Sequence, residues 1–173
     1  MIVVTGISGV GKTFTIRGFL SENPEFRYVR ASEVLAEHGL PTRDLTVQQA
    51  ARNQEVIMAS ISRLTVLFGS RLIVDGHAIV ETVDGPVSAT ADVYDTLAIT
   101  GIVTITDELE QLRSRRRGKP VPVRELDPLQ LQMMEIAASS NWAGRIKVGF
   151  AEVKSGDLAA FAKSLEGFRR RSQ

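Results

Sequence analysis

At 173 residues, 43% of them hydrophobic, the chain is long enough to bury a core within one domain. Its 21 Lys and Arg against 20 Asp and Glu leave a net charge of +1, which excludes a global pull toward nucleic acid or an anionic membrane. The absence of cysteine excludes disulfides and Cys-ligated metals and fits a reducing cytoplasm, and no apolar run approaches the ~18 residues of a membrane span.

The chain opens on an apolar strand over residues 2–5 rather than on a signal peptide. It runs directly into Gly6-x-x-x-x-Gly11-Lys12-Thr13, the spacing of a phosphate-binding P-loop. A polyphosphate must be ringed by backbone N–H donors, and glycines at 6, 9 and 11 allow the main chain to come that close. Lys12 adds charge toward the β and γ phosphates, and the Thr13 hydroxyl helps hold magnesium. The helix expected from Lys12 to about Ser21 aims its partly positive N-terminus at the same phosphates. A glycine-rich turn matching by accident is expected on the order of once in a hundred chains of this length. The nucleotide-binding set is therefore Gly6, Ser8, Gly9, Val10, Gly11, Lys12, Thr13 and Phe14, with ATP and Mg2+ as the implied ligands.

Beyond the first helix, residues 26–30 read as a strand, and Ser32 is placed to cap a short helix reaching about His38. Residues 46–68 carry Val47, Ala50, Ala51, Gln54, Ile57, Ile61, Leu64 and Leu67 at helical spacing and stop at Gly69. Residues 71–75 and 101–106 are short apolar runs without strict alternation, as parallel strands covered on two faces should be. A helix from Asp107 to about Arg117 gives way to a Gly/Pro-rich break that includes Gly118, Pro120 and Pro122. Pro128 starts a long helix bearing Met133, Met134, Ile136, Ala137 and Trp142; a strand over 150–153 and a helix over 157–170 close the chain. The alternation predicts an α/β fold of about five parallel strands with helices on both faces, and no internal repeat is visible.

The strand over 71–75 ends in Asp75, where a P-loop protein places an acid facing magnesium; an Asp capping the turn after a strand would look the same. Gly76 follows it, not the glutamate with which ATP-hydrolysing machines activate water, and the guanine-reading Asn-Lys-x-Asp string is absent. Phosphoryl transfer to a bound acceptor is the better reading. Such transfer depends on cations and alignment more than on acid or base chemistry, which draws attention to Arg113, Arg115, Arg116, Arg117 and Arg124. They can form a solvated basic helix end or a mobile lid over the phosphates. No aromatic interleaves with the cluster, which argues against nucleic acid.

Taken together, Val3 to Thr13, Arg43-Asp44 before the long helix, Val74-Asp75-Gly76-His77-Ala78 followed by the hairpin-like Val83-Asp84-Gly85, the arginine-rich segment from Arg113 to Arg124 and the late Ala137-Ala138 resemble the nucleoside monophosphate kinases, most of all the archaeal-type adenylate kinases. The resemblance implies a three-layer fold with strand order 2-3-1-4-5, an acceptor-binding region around residues 31–68 and a short lid near 114–127. It implies that Arg43 contacts the acceptor phosphate, that Asp75 and His77 face the acceptor and metal side, and that Arg113, one of Arg116 or Arg117, and Arg124 clamp the phosphates. For His77, a neutral imidazole fixed by backbone hydrogen bonds is the competing reading, and His38 reads as a surface residue at a helix end. The run after the hairpin departs from the family pattern, and Asp92 and Asp95 within it either cap a helix or read the acceptor. The expected activity is phosphorylation of AMP by ATP. A kinase of another nucleotide or small metabolite and a regulatory ATP-binding module remain as alternatives, and apolar faces on the long helices leave a homo-oligomer open.

Overall fold

The computed structural model describes residues 1–89, 95, 97–117 and 127–171. Strand β1 (Ile2–Thr5) lies at the centre of a parallel sheet, and its four residues are all buried. It pairs on one side with β3 (Leu72–Asp75), which pairs in turn with β2 (Arg27–Arg30). On its other side lies β6 (Gly101–Thr106), followed by β7 (Gly149–Lys154). Between β3 and β6 the chain makes an antiparallel hairpin, β4 (Ile79–Thr82) and β5 (Gly85–Ser88), outside that sheet. Numbered among themselves, the five parallel strands stand in the order 2-3-1-4-5.

Alternation along β1 divides the core. Ile2 and Val4 face α1 (Lys12–Leu20) and α6 (Leu158–Arg171), packing with Ile16, Phe19, Phe161 and Leu165. Val3 faces the opposite layer, where α2 (Ala31–Glu37), α3 (Val47–Phe68) and α5 (Pro128–Ile146) contribute Leu35, Ile57, Ile61 and Trp142. A further helix, α4 (Leu109–Arg116), follows β6 and buries Leu112.

The element boundaries depart from the sequence expectation in informative places. Helix α3 is set by a capping box: Thr46 accepts from the Gln49 N–H at 3.2 Å while the Gln49 side chain accepts from the Thr46 N–H at 2.9 Å. Its buried seam is Ala50, Asn53, Ile57 and Ile61, whereas Val47 and Leu67 are 44% and 72% exposed. Ser32 does not cap α2, since the helix starts a residue before it. Asp107 lies just after β6 rather than opening α4; its carboxylate accepts from the Glu108 N–H and from Arg115. Most of the expected lid, Asp92 and Tyr94 lie outside the described residues, and Asp95 is held by a two-pronged ion pair with Arg145.

Candidate active site

The phosphate loop leaves the carboxyl end of β1 and turns through glycines in the left-handed region: Gly6 at φ 140°, Gly9 at φ 82° and Gly11 at φ 106°. Two of them are also required by space. A Cβ on Gly6 would sit 2.8 Å from the Ile105 carbonyl oxygen, and one on Gly11 would sit 2.1 Å from Ser155 Oγ. Gly11 caps α1 without a side-chain acceptor, so no side chain competes for the N–H groups of the first turn. The loop lines a cleft of about 570 Å³ together with Arg30, Ser32, Arg43, Asp75, His77 and Arg115. Phe14 is 71% exposed and lies outside that lining, beside Gly156.

Lys12 folds back so that its ammonium donates to the Gly6 carbonyl and stands 3.7 Å from Asp75 Oδ1. Asp75 is buried and collects two further partners from β2: the Tyr28 hydroxyl donates to Oδ2 at 2.9 Å, and Arg30 Nε lies 3.9 Å from the same oxygen. Residues 28 and 30 share one face of their strand, and Arg30 is in register with Asp75, so both reach one carboxylate. Burial raises the pKa of the Tyr28 phenol, the charge on Asp75 raises it further, and a hydrogen bond with Thr13 opposes both. Tyr28 therefore stays protonated and donates to Asp75. The Thr13 hydroxyl and the Asp75 carboxylate are hard oxygen donors of the kind magnesium takes. Among the described residues no cluster of three or more His, Cys, Asp or Glu exists.

The arginines are distributed differently from the expectation. Arg113 is 59% exposed and stands 3.5 Å from Asp127, and Arg117 is exposed at the end of α4; neither lines the cleft. Arg124 lies outside the described residues. Arg115 instead lies on the phosphate loop, donating to the Val10 carbonyl at 2.9 Å and to Asp107 at 2.6 Å. Arg116, 9% exposed, packs its stem 3.4 Å from the Cβ position of Gly9 and donates through Nη2 to Glu81 at 2.8 Å. Its Nη1 is buried with no hydrogen-bond partner among the described residues.

Gly76, His77, Ala31 and Ser32 line the phosphate cleft on one side and a second cavity of about 150 Å³ on the other. The second cavity runs under α2 and α3 and is walled by Val3, Leu35, Ile57, Ile61, Val74 and Trp142, with Ser32, Thr42, Asn53 and Gln54 among its polar residues. His77, an exposed residue whose imidazole is nonetheless crowded by protein, thus stands at the border of the two compartments. Its pKa lies well below the usual histidine value because the surrounding protein desolvates it and Lys12 and Arg116 oppose its charge, against a hydrogen bond to the Gly6 backbone. The imidazole is neutral at physiological pH. His38 is exposed at the end of α2, where Nδ1 lies 2.9 Å from the Val34 carbonyl.

Residues 5–130 match the AAA_17 family model, described as an AAA domain. The chain belongs to that family. No curated protein matches the sequence. Among solved structures, the chain is similar to a gluconokinase from Sinorhizobium meliloti 1021 (16% identity, 99% of this chain and 97% of that one covered, TM-score 0.51). It is also similar to a sugar kinase from Janibacter sp. HTCC2649 (15% identity, 99% and 90% covered, TM-score 0.52). At such identity the likeness is one of fold.

Several residues of this AAA domain's cleft escape reading from sequence. Tyr28 and Arg30 had one available signal: two polar residues at a spacing of two, on a strand that the order 2-3-1-4-5 places beside the strand of Asp75. Arg115 could be separated from Arg113 and Arg117 only by knowing which face of α4 meets the loop. Glu81, the partner of Arg116, carried no local signal at all.

Proposed function

We propose that the protein transfers the γ-phosphoryl group of ATP to a small acceptor, and that the acceptor is a nucleoside monophosphate, AMP first among them. The observation that supports this most is the pair of joined compartments, a polar cleft on the phosphate loop and an apolar cavity beyond His77. A polyhydroxylated sugar would turn hydroxyls toward Val3, Leu35, Ile57, Ile61 and Val74, each unpaired hydroxyl costing about 1–3 kcal/mol. A nucleobase presents flat apolar faces there and leaves its edges for Asn53 and Gln54.

In this reading Gly6 to Thr13 and Arg115 hold the triphosphate, and Arg43 at the mouth of the cleft meets the acceptor phosphate. Magnesium held with Thr13 and Asp75 would neutralise charge on the phosphate oxygens. An acceptor phosphate oxygen attacks Pγ in line, the bond from Pγ to the bridging oxygen of ADP breaks, and Lys12 follows the charge as it moves. Binding of nucleotide replaces the Gly6 carbonyl and Asp75 as partners of Lys12. Arg116, packed against Gly9 and anchored on Glu81, adds positive charge beside the loop.

The second reading, a kinase of a small metabolite, is favoured by the neighbours' names alone. ADP formation from magnesium-ATP, measured with AMP, CMP, UMP, GMP, dTMP and gluconate in separate reactions, separates the two. Strong stimulation by one monophosphate is expected; stimulation by gluconate alone overturns the nucleotide acceptor, and a rate unmoved by all six overturns the phosphotransferase reading in favour of a regulatory ATP-binding module.

A further inference from the structure

Helix α5 buries Gln132, Glu135 and Ser139, which lie three and four residues apart and so share one face. That face meets the carboxyl ends of the strands. Gln132 accepts from the Asp107 N–H at 2.9 Å and donates to the Asp107 carbonyl at 3.0 Å, while the Ser139 hydroxyl lies 2.8 Å from that of Thr5. Between them Glu135 is 0% exposed. Its Oε1 accepts from the N–H groups of Gly6 and Ala78 and its Oε2 from that of Ile79, each at 2.8 Å.

These three N–H groups belong to two pieces of chain with different tasks. Gly6 begins the phosphate loop, and Ala78 and Ile79 follow the histidine that borders the acceptor cavity. A carboxylate is the side chain suited to serve three donors at once, because it accepts on both oxygens and presents no N–H of its own. Glutamine in the same place would set an NH2 group against a main-chain donor. Burial of a carboxylate is costly, so a helix that needed only to fill this space would carry an apolar residue.

We propose that Glu135 is a positioning residue: by holding Gly6 and the Ala78–Ile79 pair to one carboxylate, it fixes the separation of the phosphate loop from the His77 turn and so aligns donor with acceptor. The proposal rests on the phosphotransferase reading above. It acts through main-chain groups and touches no reacting atom, and misplacement of either piece by an ångström is enough to cost turnover.

Glu135→Gln, Glu135→Asp and Ser139→Ala test it, compared with the unaltered protein for Tm, magnesium-ATP affinity and turnover with the acceptor identified in the screen. Ser139→Ala removes a buried hydrogen bond from the same helix face without touching either loop. The expected result is a fall in kcat of roughly tenfold or more for Glu135→Gln with ATP affinity within about threefold, and kcat within about twofold for Ser139→Ala at a similar loss of Tm. Glu135→Asp, which keeps the charge and shortens the reach, is expected to recover part of the Tm and little of the kcat. A Glu135→Gln enzyme whose kcat follows that of Ser139→Ala overturns the proposal.

A second measurement keeps this outcome separate from the fate of the phosphotransferase reading. Magnesium-ATP should slow amide hydrogen exchange at Gly6, Ala78 and Ile79 together in the unaltered protein, and at Gly6 alone in Glu135→Gln. If no acceptor stimulates turnover, the phosphotransferase reading fails and exchange alone decides the coupling. Exchange at Ala78 and Ile79 indifferent to nucleotide in the unaltered protein overturns the role of Glu135 by itself.

Discussion

The phosphate loop and the inner face of α5 lie against each other, yet they are encoded in opposite ways. The loop is a contiguous string in which each glycine answers a local need, a left-handed φ or the near approach of Ile105 and Ser155. The face of α5 inverts the usual expectation: Met133 and Met134 are 63% and 37% exposed, while Gln132 and Glu135 are 7% and 0% exposed. An apolar residue on a helix is weak evidence for the core, because much of any protein surface is apolar; a buried carboxylate is strong evidence for a task. The contrast teaches that chemistry concentrated in one segment can be read along the chain, whereas chemistry assembled from backbone groups of distant segments cannot.

The sharpest way to break the comparison is at the loop itself. Lys12→Ala should lower kcat by about 10²–10³ with the fold intact by circular dichroism, since in the proposed transfer its ammonium would act on the migrating charge. Turnover at the unaltered rate would remove the loop from the chemistry.

Next in size is the core side of α5. Leu131→Ala is expected to cost about 3 kcal/mol in urea unfolding, because Leu131 is 1% exposed, whereas Met133→Ala should stay within about 0.5 kcal/mol. Equal losses would mean that the helix face has been drawn the wrong way round.

The arginines sharpen the comparison at the level of single side chains. Arg116→Ala should reduce kcat by roughly tenfold to a hundredfold and Arg113→Ala by less than about twofold, since Arg116 packs on the loop with Nη1 unpartnered among the described residues, whereas Arg113 is exposed beside Asp127. The reverse order would return the phosphate contact to Arg113.

The smallest effect concerns the charge of Glu135. Burial raises its pKa above the ordinary 4.5, against the opposing pull of the Ala78, Gly6 and Ile79 N–H groups and of Lys12. In the window between the two values the folded state binds the extra proton, so this contribution to stability is complete below about pH 4.5 and declines as pH rises through the folded value. The stability difference between the unaltered protein and Glu135→Gln should therefore shrink as pH rises from 4.5. A difference that grows with pH would show a depressed pKa instead.

The fold was largely legible because its signals are local. Short apolar runs without alternation mark covered parallel strands, and the capping box of Thr46 and Gln49 together with the loop after β1 mark helix starts. Even so, the buried seam of α3 is narrower than its apolar spacing predicts. Asn53 belongs to the buried seam and Val47 does not, because what decides burial is the hairpin and α2 that pack there rather than hydrophobicity alone.

By itself the amino-acid sequence determined the α/β architecture, the nucleotide-loop motif and Asp75 at the end of the neighbouring strand, all set by periodicity and spacing within short segments. Only the tertiary structure decided which arginines meet the loop, that Tyr28 and Arg30 converge on Asp75, and that Glu135 ties Gly6 to Ala78 and Ile79. The physical reason is that these pairings join residues 45 to 129 positions apart, so strand register and helix facing decide which side chains meet, and the N–H groups that Glu135 gathers carry no residue identity by which their partner could be found.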